Sequence, residues 1–306
     1  MKTLRILCLS LMPGLCSGQV TWGQENRLLI IDHVTVVTPA ASLRGSDVSV
    51  VIAGERIESV GPYSGAKRRA GAVVVDGRGR FLIAGLWDMH VHSLSKGQPE
   101  IFFPLFVANG VTGIRDMGGD LSLREIAEVK EEIKSGGRLG LEIFAAGPIL
   151  EGEYPFWPFS LSVKNRLEAR RAVSQLAGEK ADFLKVYNTL SRDAYLGVAS
   201  EAKNARIPFV GHIPDSVTPA EASDFGQKSI EHLWGISPYL SSNPDKVKKM
   251  TAEANDAADP GVARDLFYEI NQTILSGYDP EKGRALFAKF ARNGTWQTPT
   301  LVVLRS

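Results

Sequence analysis

The sequence is poor in cysteine, in histidine and in any excess of charge. Its two cysteines, Cys8 and Cys16, both fall within the first twenty residues. If that segment is removed, the remaining chain has no thiol, and it forms neither a disulfide nor a cysteine–zinc site. Thirty-five lysines and arginines against 34 aspartates and glutamates leave a formal net charge of +1. So even a balance creates no broad field to attract nucleic acid or an anionic membrane, which excludes both as partners. The apolar stretch Ile6–Leu15 is too short to cross a bilayer as a helix, so no stable membrane insertion is expected. There is no low-complexity stretch, no repeat of fixed short period and no Rossmann glycine fingerprint. What is present fits a folded protein: 44% hydrophobic and 23% charged residues in a chain of 306, enough for one large domain with or without a small companion.

The first residues read as a signal peptide over 1–18. Lys2 and Arg5 supply a positive start, Ile6–Leu15 an apolar middle, and Ser17 and Gly18 small residues for cleavage. This predicts an exported protein, periplasmic or secreted. A lipid on Cys16 is disfavoured because Leu15 is bulky where a lipoprotein signal has a small residue. The alternative is an ordinary buried N-terminal helix.

Residues 19–80 read as a small β-module. Leu28–Val37 is rich in Ile and Val, Asp47–Ile52 turns at Gly54 into Arg56–Val60, and Ala72–Val75 leads into Gly77. From Phe81 onward, over 81–306, short apolar runs alternate with helical stretches. The expected strands are Leu82–His92, Thr112–Met117, Glu142–Ile149, Phe183–Tyr187, Pro208–Ile213, Ser229–Trp234 and Thr295–Leu304. Between them lie helices over Leu121–Lys134, Arg166–Leu176, Arg192–Ala205 capped by Ser191, and Pro219–Phe225 capped by Thr218. Later helices run over Pro244–Ala254, Val262–Leu275 and Glu281–Arg292. Strands alternating with helices at this spacing predict an α/β fold with a parallel sheet. Seven such strands without a dinucleotide fingerprint favour a TIM-like (β/α) barrel over an open sheet.

Four of the five histidines occupy one kind of place. His90 and His92 end the first barrel strand, His212 follows Phe209-Val210-Gly211, and His232 follows Ser229-Ile230-Glu231. In a barrel all strand C-termini share one face, where active sites are built. Histidines distant in sequence therefore converge. His90 and His92 are two apart on a strand and point to the same side, as two ligands of one metal would. A single strand-end histidine is commonly structural, but four together point to metal, since neutral imidazole is the usual nitrogen ligand of zinc. His33, in the early β-module, has no such context and reads as structural. Lys185 sits inside the apolar run Phe183-Leu184-Lys185-Val186-Tyr187. A charged lysine there is costly; it finds a partner, loses its proton, is modified, or extends its head to the barrel mouth.

Gly85-Leu86-Trp87-Asp88-Met89-His90-Val91-His92, then Lys185, His212 and His232, resembles the amidohydrolase superfamily, closest to its imidazolonepropionase and prolidase-like branch. The likeness runs from about Leu28 to Ser306 and includes the leading β-module, half of a composite β-sandwich in such proteins. It implies a binuclear metal site. His90 and His92 would hold the more buried ion, His212 and His232 the second, and a carboxylated Lys185 would bridge them. Zinc is the default, although other divalent ions suit similar donors. A metal-bound hydroxide would then cleave a carbon–nitrogen bond of a small molecule, such as a cyclic amide, acyl-amino acid or dipeptide. Asp88 reads as a supporting group, Tyr187 as a substrate contact, and Trp234 and Tyr154 as packing aromatics.

The family pattern also needs an aspartate at the end of barrel strand eight, which moves the proton between water and leaving group. Asp116, Asp215 and Asp279 all precede strand seven, so this catalytic residue is not assigned. The expectation is a chain that stops after seven of eight strands, with a β-sandwich lacking its C-terminal half; whether this form is active is left open. The same ligands would serve an esterase, lactonase or phosphotriesterase, or a non-catalytic metal-binding barrel. Oligomeric state and substrate identity are not encoded in any motif.

Overall fold

The computed structural model describes residues 28–38, 45–65 and 71–302. The signal peptide and the end of the strand expected at Thr295–Leu304 lie outside these. The early strands are β1 (Leu28–Val36), β2 (Gly45–Ala53), β3 (Arg56–Pro62), β4 (Val73–Asp76) and β5 (Phe81–Leu82). There follow β6 (Leu86–Val91), α1 (Pro99–Ala108), β7 (Val111–Asp116), α2 (Leu123–Lys134), β8 (Glu142–Ala145), β9 (Ile149–Glu151) and β10 (Leu161–Ser162). Next come α3 (Arg166–Gly178), β11 (Leu184–Val186), α4 (Arg192–Ala205), β12 (Phe209–Gly211), α5 (Pro219–Asp224) and β13 (Ser229–Glu231). The last elements are α6 (Ile236–Tyr239), α7 (Pro244–Asp256), α8 (Pro260–Ser276), α9 (Pro280–Asn293) and β14 (Trp296–Thr298).

The chain divides into two compact units. One runs up to Asp88 and includes Gly97–Arg115 and Ala127–Ile143; the other comprises Met89–Lys96, Asp116–Ile126 and Phe144 onward. In the first, β1 pairs antiparallel with β2 and parallel with β4 and β5, and β3 pairs antiparallel with β2. Alternating burial in β2 and the bulge in β1 gather Ile31, Val34, Val48, Val50 and Leu82 into one small core. A bulge between Ile31 and Val34 carries His33 at φ +58. Its ring is tied to Asp47 at 2.6 Å and to Arg78 at 3.0 Å, so His33 serves the sheet.

In the second unit β10, β9, β11, β12, β13 and β14 form a six-stranded sheet in that order, and its five pairings are all parallel. β9, β11, β12 and β13 are buried at every residue. Strands covered on both faces lose the polar alternation of a surface sheet and become apolar runs, which is how they were recognisable. β6, β7 and β8 make a separate three-stranded sheet. Among the described residues the strands therefore form open sheets rather than one closed ring. The single strand expected at Glu142–Ile149 is two, β8 and β9. Gly147 turns left-handed at φ +71 and Pro148 has no N–H to donate, so the ladder breaks between them.

The caps read from the sequence form as expected. Ser191 Oγ accepts from the Ala194 N–H, and Thr218 with Glu221 makes a reciprocal capping box. Helix α1 was not anticipated, because its apolar residues carry no clear 3.6-residue stripe.

Candidate functional site

His90 lies within β6 and His92 directly after it; Lys185 is the centre of β11; His212 and His232 are the first residues after β12 and β13. The hydrogen-bonded order β11-β12-β13 places Lys185, His212 and His232 on adjacent strands of one sheet. Gln227, fully buried, holds that arrangement. Its Nε2 donates to the carbonyls of Gly211 and Ser229 at 2.9 and 3.0 Å, while Tyr195 donates to its Oε1 at 2.7 Å. Gly211, just before His212, has φ +135, and a Cβ there would lie 2.1 Å from the Val186 carbonyl oxygen. Gly211→Ala is expected to cost about 1–3 kcal/mol through backbone strain alone, with the neighbour clash added, as urea unfolding would measure.

The four imidazoles form a chain. Ring centres lie 5.3 Å apart for His90–His92, 4.4 Å for His90–His232 and 5.2 Å for His212–His232. Tyr187 and Trp234 both stack on His212, at 4.2 and 5.0 Å. Lys185 is 1% exposed, with Nζ 5.9 Å from the Tyr187 ring centre. Asp88 lies earlier on β6. Tyr154 is 83% exposed and so is not the packing aromatic expected.

The outer nitrogens of three histidines are already engaged. His90 Nδ1 meets Glu231 Oε2 at 2.8 Å, His92 Nδ1 donates to the Gly118 carbonyl at 2.7 Å, and His232 Nδ1 meets the Thr300 hydroxyl at 2.5 Å. A carbonyl or carboxylate partner fixes the proton on Nδ1 and leaves Nε2 with its lone pair, the usual setting of a metal-ligating histidine. His212 Nδ1 is buried with no hydrogen-bond partner. Burial lowers all four pKa values, assisted by the charge of Lys185 and by neighbouring imidazoles: His212 falls to about 2, His232 to about 4, and His90 and His92 below their ordinary range. At neutral pH all four are uncharged donors. Among the described residues no three His, Cys, Asp or Glu side chains meet at metal-ligating spacing. The donor set thus fits a divalent ion in chemistry and protonation, and coordination would require these side chains to draw together.

Two buried carboxylates support the histidines. Glu231 is 0% exposed and receives both His90 and the Ser229 hydroxyl. Asp116 accepts from the backbone N–H of Ser93, Leu94 and Gly118 at 2.7, 3.1 and 3.1 Å and from Ser93 Oγ at 3.2 Å. It thereby clips the residues after His92 to the loop whose Gly118 carbonyl orients that histidine. Neither role was read from the sequence, although Glu231 carried the signal that singled out Lys185, a charge inside an apolar strand. Glu231→Gln is expected to weaken divalent-metal binding about 10–100-fold, measured by chelator competition. Asp279 is a helix cap, accepting from the N–H groups of Glu281 and Lys282. Asp215 is raised by burial and bonded to the Trp234 side chain.

No family model and no curated protein matches this chain. Solved structures do. A protein assigned as a prolidase from Bifidobacterium longum is 19% identical over 83% of this chain and 69% of its own, with a TM-score of 0.63. A Xaa-Pro dipeptidase with methionine bound in its active site is 18% identical over 89% and 79%, TM-score 0.58. Molinate hydrolase is 17% identical over 76% and 63%, TM-score 0.54. An amidohydrolase structure is similar too, 18% identical over 89% of this chain and 78% of its own, with a TM-score of 0.53. At such identities the likeness shows a shared α/β fold.

Proposed function

We propose that this chain is a metal-dependent hydrolase that cleaves a carbon–nitrogen bond of a small molecule on a TIM-like (β/α) barrel. The observation that carries this reading is the set His90, His92, His212 and His232 at or beside strand ends and Lys185 within β11, with the Nδ1 atoms of His90, His92 and His232 engaged. The fold shared with prolidases and amidohydrolases supports it.

His90 and His92 would hold one divalent ion, zinc by default, and His212 and His232 a second, with Lys185, if carboxylated, as a further ligand. Carboxylation of Lys185, in which its deprotonated amine would add to carbon dioxide with release of one proton, would replace a buried positive charge with a carboxylate-type donor. A bound divalent ion supplies Lewis acidity toward a carbonyl oxygen and lowers the pKa of water. The chain's own part is to keep four imidazoles uncharged and aimed, and to present the half-buried Tyr187 to the substrate. We further propose export through residues 1–18. No helix among the described residues is long and apolar enough to cross a membrane.

The test is metal analysis of the purified chain together with a panel of dipeptides, acyl-amino acids, cyclic amides, esters and lactones. About two divalent ions per chain and amide turnover are expected. Turnover of esters or lactones alone would replace the carbon–nitrogen assignment; absence of both metal and turnover would overturn it. Export is checked by the mass of the mature protein, expected to begin at Gln19.

A further inference from the structure

The nine residues between β9 and β10, 152–160, hold Tyr154, Phe156, Trp157 and Phe159. Their fold is set by Glu151, the last residue of β9 and 0% exposed. Its carboxylate accepts from the backbone N–H of Phe156 at 2.8 Å and of Trp157 at 3.2 Å, from Ser160 Oγ at 2.5 Å and from Thr189 Oγ1 at 3.4 Å. A buried carboxylate requires such donors to offset its lost hydration. Two of the four are consecutive N–H groups of the loop, so the carboxylate fixes the backbone that carries Trp157.

Trp157 is thereby placed at the histidines. Its ring lies nearly parallel to His92, 6.3 Å centre to centre and 26° between planes. Its indole N–H interacts with the Tyr187 hydroxyl, and Phe156 and Phe159 brace it at 5.0 and 5.6 Å. These aromatics do not fill a core. Phe156 is 70% exposed and Trp157 half-buried, whereas Tyr195, a packing aromatic of the same unit, is 0% exposed. At the other end of the histidine chain Trp234, 41% exposed, stacks on His212.

Resting on the hydrolase reading above, we propose that the substrate of this site carries a flat or apolar group beside the bond that is cut, and that Trp157 is the surface that holds it. Glu151 is the positioning residue for that surface. An aromatic face rewards a planar or apolar group of its own size and offers nothing to a small polar one.

The experiment uses matched amides that differ only in phenyl or methyl beside the scissile bond, such as N-acetylphenylalanine with N-acetylalanine and Phe-Pro with Ala-Pro. The metal-loaded full chain is expected to prefer the phenyl member of the cleaved pair about tenfold or more in kcat/KM, through KM. In Trp157→Ala the preference collapses to within about threefold, while Trp157→Phe, which keeps a flat ring, retains most of it. Glu151→Ala raises KM for the phenyl substrate and leaves its kcat near that of the unsubstituted chain. Equal use of phenyl and methyl substrates by the unsubstituted chain, a result independent of whether any variant folds, overturns the proposal. So does a preference that survives Trp157→Ala. Failure to bind metal or cleave either member would instead overturn the hydrolase reading itself.

Discussion

His90→Ala and Lys185→Ala are each expected to lower kcat/KM on a cleaved amide on the order of 10³-fold, equivalent to about 4 kcal/mol of transition-state stabilisation. Under the proposed function each removes a ligand. The two variants should differ in a second readout. His90→Ala also takes one partner from Glu231, a carboxylate with 0% exposure that meets His90 at 2.8 Å, so it loses folding stability as well as activity. Lys185→Ala leaves a cavity beneath Tyr187 and is expected to lower metal content toward one ion or none. His33→Ala is the control: His33 is bonded to Asp47 and Arg78 in the leading β-sheet, and its loss should leave kcat unchanged. If both His90→Ala and Lys185→Ala keep full activity, these residues are not the catalytic site.

The second large effect is on stability. Asp116→Ala removes the acceptor of three backbone N–H groups and one hydroxyl, in a place where Asp116 is 1% exposed. Each unsatisfied buried donor costs about 1–3 kcal/mol, and water entering the vacated space recovers part, so a net loss of at least about 3 kcal/mol is expected. Chemical denaturation measures it. A loss under about 1 kcal/mol would mean the clip is not structural. The pH dependence has a definite sign. Burial raises Asp116 from 3.8 to about 6 against the four donors that pull it down. Between these values the folded chain binds more protons than the unfolded one. The contribution of Asp116 to stability is therefore greatest below about pH 4 and declines as pH rises through about 6. His232, lowered to about 4, has the opposite sign, favouring the folded state more as pH rises from about 4 to 6.5. The difference between the unsubstituted chain and Asp116→Ala isolates the Asp116 part, and the gap should widen as pH falls from about 6 to 4.

Much of the fold was legible because local rules and tertiary demands agree. Helix α4 begins where Ser191 caps it and ends at Ala205, where Arg206 turns left-handed at φ +55. The buried strands announced themselves as apolar runs, since a strand covered on both faces has no solvent side to keep polar. Their lengths were overestimated for a related reason. His212 and His232 continue the runs in composition, and their N–H groups still donate to the Val186 and Thr298 carbonyls of neighbouring strands, but the regular strands end just before them, Gly211 having φ +135 and His232 φ +57. The shape of the aromatic loop at 152–160 was not legible, because it depends on hydrogen bonds from its own backbone to the buried Glu151 carboxylate.

By itself the sequence singled out the candidate residues: four histidines at or near the ends of apolar runs and one lysine inside such a run. It also showed that both cysteines lie within the first twenty residues and that the formal net charge is only +1. Only the tertiary structure decided how those residues are held. Glu231 is distant from His90 in sequence, and the Gly118 carbonyl reaches His92 through a turn of the chain. Such partners are chosen by the three-dimensional crossing of strands, and a hydrogen bond between distant residues leaves no spacing rule in a single sequence from which it could be read.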